Sequence, residues 1–430
     1  MADFYKMILG AGHELAETGF NGGWIGVGWF GETDLSERFP ESYEEFRDEF
    51  APIFMEGGAT TRISAGNICG QVLDTDTETT LHSGAVEGIG LGEGSPRYRE
   101  AIAGALDSLP PTITLEAVGH RVVHGGEKFS EPIVITAEVE EHIRDISSLA
   151  PLHNPANLQG IQAAREALPN LTHVAVFDTA FHHTLPKAAS TLALPEDIRV
   201  AYGIRKYGFH GTSHHYVSKV ASELLGGDPL EHKVISLHLG NGSSATALRG
   251  GRSLDTSMSF TPTSGLVMGS RPGDLDPAVV THLLEQGGYT LEEVTTLLSK
   301  NSGLKGLTGH SDFREITALA AAGDDTAVLA LDVWAWRIKH YIGAYAALLG
   351  GLDAVVFTGG IGENSAEGRL LATQGLDFLG VTIDPYLNSR PNSHTRTISP
   401  PTAQVSVYVI PTQEELEIAR QTAALISSPR

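Results

Sequence analysis

Cysteine is all but absent. Cys69 is the only one in 430 residues, so no intrachain disulfide can form, and the cytosol is the expected compartment. Positive charge is scarce as well. Lys and Arg number 29 against 52 Asp and Glu, a formal net charge of -23, which argues against nucleic acid or an anionic membrane as partner. A small anion held by a local basic cluster stays open. No stretch reaches the roughly 18 continuous apolar residues of a membrane span. The Ala-rich stretch 318–330 contains Asp324 and Asp325 and has the size of a soluble helix. The first residues lack the basic and apolar regions of a signal peptide. Two catalytic signatures are missing too. No Gly-x-x-x-x-Gly-Lys-Ser/Thr stretch occurs, which excludes a P-loop, and no Gly-x-Ser-x-Gly elbow stands between a strand and a helix.

What remains is an ordinary globular composition, 41% hydrophobic and 19% charged, with length for two or three domains. Beyond residue 72, strand and helix patterns alternate. A hairpin is expected over 73–86 with its turn at Asp74-Thr75-Asp76, and strands over 114–123, 173–177, 234–239, 354–358 and 405–410. Helices are expected over 98–109, 137–147, 157–167, 214–225, 277–285, 291–300, 326–349 and 414–426. Such alternation predicts α/β layers with partly parallel sheets. Residues 1–71 read differently. They are rich in glycine and aromatics, with a strand pattern from Trp24 and an acidic helix pattern over 44–54.

The most informative segment is Val234-Ile235-Ser236-Leu237-His238-Leu239-Gly240-Asn241-Gly242-Ser243-Ser244, a strand ending in a glycine loop. Glycine lets backbone N–H groups approach an anion closely. Ala354-Val355-Val356-Phe357-Thr358 followed by Gly359-Gly360-Ile361-Gly362-Glu363-Asn364 repeats the idea. Two such loops on distant strands predict a nucleotide held between two halves. Asp178 directly follows a strand, where α/β sheets bind ligands; a turn or cap role would also explain it. Glycines bracket Phe209-His210 and present His210. Thr212 or Ser213 can cap the next helix. The histidines here lack Cys or Glu at zinc-ligand spacing. Arg121 runs into a Gly-Gly turn, and Arg271 lies in a glycine-proline loop. Both suit forked contacts to phosphate or carboxylate, although a surface salt bridge would explain either alone. Gly88-Ile89-Gly90-Leu91-Gly92 has the spacing of a dinucleotide loop without its strand-loop-helix setting, and reads as a bend.

From about Val72 onward the chain resembles the acetate kinase family. The carrying segments are His120-Arg121-Val122-Val123-His124-Gly125-Gly126, Ala150-Pro151-Leu152-His153-Asn154-Pro155, Val176-Phe177-Asp178-Thr179 and Tyr207-Gly208-Phe209-His210-Gly211-Thr212. The strand-to-glycine-loop segment, Asp312-Phe313-Arg314, Gly360-Ile361-Gly362-Glu363-Asn364 and Pro411-Thr412-Gln413-Glu414 continue in the same order. The resemblance implies a two-domain duplicated fold of the ribonuclease-H-like, actin-like ATPase type. It implies transfer of the ATP γ-phosphoryl to acetate, giving acetyl phosphate and ADP, with Mg²⁺ or Mn²⁺, in a cytoplasmic homodimer. Its catalytic residues fall on Asp178, His210, Arg271 and Arg121, and its substrate contacts on Arg121, His153 and Arg271. Its ATP contacts fall on His238, Leu239, Gly240, Asn241, Gly242, Asp312, Phe313, Arg314, Gly360, Ile361, Gly362, Glu363 and Asn364, and its metal glutamate on Glu414. Propionate or butyrate as acceptor, and a nucleotide-binding pseudoenzyme, remain alternatives.

The resemblance fails at the start. The family's first strand and Asn-Ala-Gly-Ser-Ser-Ser-Leu-Lys loop find only Ile63-Ser64-Ala65-Gly66-Asn67 here, and no Lys or Arg lies between Arg62 and Arg97. Residues 1–71 resemble instead the N-terminal segment of some Mrr-like restriction endonucleases, through Ala2-Asp3-Phe4-Tyr5, Gly22-Gly23-Trp24-Ile25-Gly26 and Ala65-Gly66-Asn67-Ile68-Cys69-Gly70. The expected division is a foreign segment 1–71, an incomplete first kinase domain 72–180, a nucleotide domain 181–390, and a return to the first domain over 391–430. Residues 24–30 or 61–68 are the candidates to fill the first-strand position.

Overall fold

Two six-stranded sheets repeat a single strand order. The computed structural model describes residues 5–10, 66–75, 77–89, 98–110, 112–151, 153–390 and 394–427. The first sheet contains β1 (Tyr5–Gly10), β2 (Gly66–Asp74), β3 (Thr79–Ile89), β4 (Leu115–Val122), β5 (Ile133–Val134) and β6 (Thr172–Phe177), in the order β3-β2-β1-β4-β6-β5. The second contains β7 (Lys233–Leu239), β8 (Ser243–Arg249), β9 (Arg252–Thr256), β10 (Ala354–Thr358), β11 (Arg396–Thr397) and β12 (Ser406–Val409), in the order β9-β8-β7-β10-β12-β11. In each, three strands form an antiparallel meander, two more run parallel to the first, and a two-residue strand closes the edge antiparallel. This is the duplication expected of the actin-like fold.

Apolar runs explain which strands are central. Val234, Ile235, Leu237 and Leu239 of β7 and every residue of β10 are buried. Strands covered on both faces carry near-continuous hydrophobic runs. On one face of the second sheet, the helix Asp325–Leu349 inserts Trp334, Ile338 and Ile342 into the larger core. On the other, the helix Gly211–Leu225 packs Val217 and Ala221 against Val234 and Val356. The helix Glu414–Ser427 covers β4 of the first sheet. A side chain on Gly119 would meet Thr422 Oγ1 at 2.7 Å and Ile418 Cγ2 at 2.8 Å, so glycine permits that approach. Lys219 donates to the fully buried Glu417 at 2.9 Å, tying this helix to the helix on the second sheet.

Three expectations need correction. The first-strand position is not filled by residues 24–30 or 61–68. Tyr5–Gly10 occupies it, antiparallel to β2 and parallel to β4, and Gly66–Ile68 belongs to the neighbouring β2. The segment read as foreign thus supplies the strand, and the first sheet has as many strands as the second. Residues 24–30 and 44–54 lie outside the described residues. The stretch 318–330 is two helices, Phe313–Ala321 and Asp325–Leu349. Gly323 turns there with φ of 89°, and Asp324 caps the second by accepting from Ala327 N at 2.8 Å. Gly360 to Asn364 form a short helix, Gly359–Asn364, rather than an open loop.

Candidate active site

Arg121 on β4 and Asp178 just past β6 stand on neighbouring parallel strands. The guanidinium grips the carboxylate in a fork, Nε to Oδ1 at 3.0 Å and Nη2 to Oδ2 at 2.6 Å. Asp178 is 2% exposed. Burial pushes its carboxyl up, and the Arg121 charge opposes that shift. Burial would lower the Arg121 pKa, but the Asp178 and Glu414 carboxylates outweigh it and hold the guanidinium charged. Glu414, opening its helix, lies 3.5 Å from Arg121 Nη1. Its neighbour Glu415 is pushed up by burial, then by the Glu414 charge.

The helix Gly211–Leu225 begins against this pair. Gly211 N donates to the Asp178 carbonyl at 2.9 Å, and Thr212 Oγ1 to Asp178 Oδ1 at 3.4 Å. Thr212 and Ser213 therefore lie inside the helix and bind across the site, instead of capping as expected. His210 precedes the helix in a left-handed conformation, φ 56° and ψ 27°. A non-glycine residue there stores strain that the surrounding packing must hold. The packing is a layer of histidines. His210 lies against His238 with ring centroids 4.3 Å apart, and its Nδ1 is 2.9 Å from Ser244 Oγ. Burial first, then the charges of His238 and Arg121, hold the His210 pKa well below the usual imidazole range. It is neutral at physiological pH.

Arg271 comes from the other half. Its Nη1 donates to Pro262 O at 2.6 Å. Its Nη2 is 2.8 Å from where a Gly242 side chain would begin, a point 3.5 Å from His210 Nε2. The bare Gly242 thus lets the β7–β8 turn, Arg271 and His210 meet. Burial lowers the Arg271 pKa, without discharging a guanidinium. His153 opens onto the same cleft. The cleft walls, then the Arg271 and Arg121 charges, lower its pKa to about 4. Arg121, Asp178, His210, Arg271, His153 and Glu414 are thus gathered in one place. Beside them Phe209, Met258 and Met268 form a small apolar cluster with Val123 against it.

At the second sheet β7 and β10 end together, with His238 opposite Thr358. Gly359 has φ of 76°, and a side chain there would meet Leu239 O at 2.9 Å. Glu363 Oε1 accepts from Gly359 N at 2.9 Å and Thr412 N at 3.0 Å. Leu239 and Phe313 are buried in the core, Phe313 against Trp334 with centroids 4.8 Å apart. Only their backbone could reach a ligand. Asp312 caps the helix Phe313–Ala321 and pairs with Arg314 on the surface.

Among the described residues no group of three or more His, Cys, Asp or Glu could hold a metal unaided. Both Asp178 oxygens are taken by Arg121. Glu414 is only loosely engaged and partly accessible. One available carboxylate fits Mg²⁺, which keeps several waters and shares substrate phosphates. Sequence reasoning missed His214, Ser236 and Ser244 behind His210, Thr412 beside Glu363, and Glu415. The spacing of His214 four residues after His210 was the one available signal, since it brings His214 N onto the His210 carbonyl in the first turn of the helix.

Comparison with known proteins agrees with this architecture. Residues 90–420 match the family model described as the acetokinase family. An acetate kinase of Clavibacter sepedonicus is 50% identical over 380 residues, covering 82% of this chain and 95% of that protein. The crystal structure of Porphyromonas gingivalis acetate kinase superposes with a TM-score of 0.78 at 40% identity, covering 84% of this chain and 97% of that one. A propionate kinase from Francisella tularensis gives 0.78 at 39% identity, covering 83% and 96%. With the duplicated sheets and the cleft between them, these matches establish that the chain belongs to the acetokinase family.

Proposed function

We propose that the protein transfers the γ-phosphoryl group of ATP reversibly to acetate. A carboxylate oxygen attacks the γ-phosphorus, the bond to the β-phosphate oxygen breaks, and acetyl phosphate and ADP result. The observation that carries this reading is the convergence of Arg121, Arg271 and the His210 imidazole at one cleft. A phosphoryl group in transit spreads negative charge over its equatorial oxygens, so alignment and cationic donors do most of the work. In this reading Arg121 and Arg271 grip carboxylate and phosphoryl oxygens, His153 lines the acceptor side, and His210 donates to the group in flight. Acetate is already ionised near neutral pH. Asp178, saturated by the Arg121 fork, therefore orients that arginine and removes no proton. The β7–β8 turn with His238 and Gly240 to Gly242, the helix from Gly359, and Asp312 to Arg314 surround the nucleotide. Glu414 would hold Mg²⁺ or Mn²⁺, which would neutralise phosphate charge when bound.

The division at residues 71, 180 and 390, a homodimer and a cytoplasmic setting complete the proposal. So does descent of residues 1–71 from an Mrr-like segment. The family's phosphate-loop lysine has no counterpart in the sequence, either after Tyr5–Gly10, where no Lys or Arg stands before Arg38, or between Arg62 and Arg97. Loss of one such donor lowers rate by on the order of 10²-fold. A longer alkyl acceptor is the second reading, favoured by the similarity to a propionate kinase. One methylene is worth only about 1–3 kcal/mol in such a pocket.

A hydroxamate assay with ATP, Mg²⁺ and acetate tests the reading, with propionate in parallel. We expect acyl phosphate to form, and Arg271→Ala to abolish it. A protein that binds ATP yet forms no product with either acid would be the pseudoenzyme instead.

A further inference from the structure

Two buried serines and a histidine have no part in the reading above. Ser236 on β7, Ser244 on β8 and His214 on the helix Gly211–Leu225 are all fully buried. Ser236 Oγ is 2.7 Å from His214 Nδ1. His214 Nε2 is 2.7 Å from Ser244 Oγ, and Ser244 Oγ is 2.9 Å from His210 Nδ1. These four side chains form a single row of hydrogen bonds running from the core to the cleft. His210 Nε2 ends the row on the cleft side, beside Gly242 and Arg271.

Counting protons gives the row a direction. Burial holds both imidazoles far below their ordinary pKa, so each carries one proton at neutral pH. With the two hydroxyls, the row has four protons. Three hydrogen bonds consume three. The fourth stands on His210 Nε2 facing the cleft, on Ser236 Oγ turned away from His214, or on Ser244 Oγ if that oxygen accepts from both imidazoles. Among the described residues, Ser236 Oγ has no partner other than His214, and Ser244 Oγ none other than His214 and His210. A proton turned away would be a buried donor without an acceptor, an arrangement folded proteins avoid.

We propose that Ser236, His214 and Ser244 are positioning residues that fix His210 as the Nε2–H tautomer, its donor aimed at the anion the cleft binds. The Ser236 hydroxyl donates to His214 Nδ1, His214 Nε2–H to Ser244, and the Ser244 hydroxyl to His210 Nδ1. Reversing the row would point a nitrogen lone pair at a phosphoryl oxygen. The left-handed backbone of His210 and the His238 ring against it fix the aim of the donor. Its use in phosphoryl transfer rests on the proposed function; the tautomer itself does not.

Nitrogen-15 NMR of labelled histidines in the ligand-free protein reads which ring nitrogen carries the proton, with His210 assigned through His210→Asn. We expect Nε2–H in the unaltered chain. Ser236→Ala and Ser244→Ala should each mix the tautomers and lower kcat at least about 10-fold, toward the 10²-fold typical of a lost donor. KM for ATP and acetate should stay within about twofold. Ser244→Thr keeps the hydroxyl and should restore both readouts. An Nδ1–H tautomer in the unaltered protein overturns the proposal, whether or not the alanine variants fold. So does an unchanged Nε2–H signal in folded alanine variants, even with a lower melting temperature. The spectrum needs no turnover, so absent kinase activity would sink the proposed function and leave this test standing.

Discussion

The carbonyl oxygen of Asp178 accepts the N–H of Gly211 at 2.9 Å, and the space a Gly211 side chain would need is taken by that same oxygen. The obstacle is backbone, which cannot swing aside as a flexible side chain can. Gly211→Ala should push the helix start off the end of β6 and carry His210 with it. We expect a stability loss of about 1–3 kcal/mol, typical of overpacking, and activity down by about 10²-fold, as misplacement near 1 Å does. Thermal melting and the hydroxamate assay read these separately. Gly343 is the control. It lies within the helix Asp325–Leu349 with open space around its Cα, so Gly343→Ala should stabilise by about 0.5–1 kcal/mol and leave turnover unchanged.

Arg121 and Asp178 should respond unequally to truncation. Arg121→Ala strands a carboxylate that is 2% exposed, and breaking a buried pair in this way costs about 3–5 kcal/mol. Asp178→Asn leaves the partly buried guanidinium without its fork but with Glu414 still 3.5 Å away to balance its charge, so its stability cost should be smaller. Both should lose activity, because Arg121 either vanishes or loses its aim. Urea unfolding of the two variants at neutral pH gives the comparison. Equal losses would mean that burial of the Asp178 charge is not what the fork offsets.

Glu417 gives a pH signature. It is fully buried beside Lys219 and His215, each 2.9 Å from its carboxylate. Burial would raise its pKa, but the hydrogen bonds and charges of those two groups outweigh it and lower it to about 2. A carboxyl whose folded pKa is depressed contributes stability above its unfolded value near 4.5, and that contribution fades as pH falls toward 2. The difference corresponds to about 3 kcal/mol. Glu417→Gln should therefore be less stable than the unaltered chain at pH 7, with the gap closing between about pH 4.5 and 2. Denaturant titrations at pH 7, 4.5 and 3 would follow it. A gap that stays constant would show that the cluster acts through packing alone.

Much of this was legible in the sequence, for a local reason. The strands β6, β7 and β10 are largely apolar runs, and the helix expected over 291–300 is found as Leu291–Lys300, started by a capping box of Thr290 and Glu293. Asp178 directly follows a strand, and His210 and Arg271 stand beside glycine or proline, where ligand-facing residues collect. What was not legible is what pairing decides. Tyr5-Lys6-Met7-Ile8-Leu9-Gly10 has only three consecutive apolar residues between Lys6 and Gly10, too few to declare itself a central strand; its place is fixed by β2 and β4, about 60 and 110 residues away. Glycine disfavours helix locally, so Gly360 to Asn364 read as a loop. The Glu363 carboxylate, bonded to the N–H groups of Gly359 and Thr412, holds it as a turn of helix. The Ser236-to-His210 row crosses two strands and a helix, and no spacing along one element reveals it.

Arg271 owes its aim to a neighbour that never touches the cleft residues. Asp274, three residues on, receives Gly265 N on one oxygen at 2.8 Å and the Tyr341 hydroxyl on the other at 2.7 Å. Arg337 adds an ion pair at 3.0 Å. The long helix thus clasps the base of the loop whose tip is Arg271. Tyr341→Phe removes one hydrogen bond and keeps the ring packing, so the stability cost should be modest, about 1 kcal/mol. Because Arg337 still holds the carboxylate, the loop should loosen without unfolding. The expected kinetic result is a several-fold lower kcat/KM for the carboxylate acceptor with KM for ATP little changed, since in the proposed function Arg271 grips the acceptor and the phosphoryl group in transit and makes no contact with the rest of the nucleotide. Asp274→Asn, which weakens both contacts, should lower it further. Steady-state assays varying each substrate in turn decide the matter. Equal losses for ATP and acceptor would place the clasp's effect on domain stability instead of on Arg271.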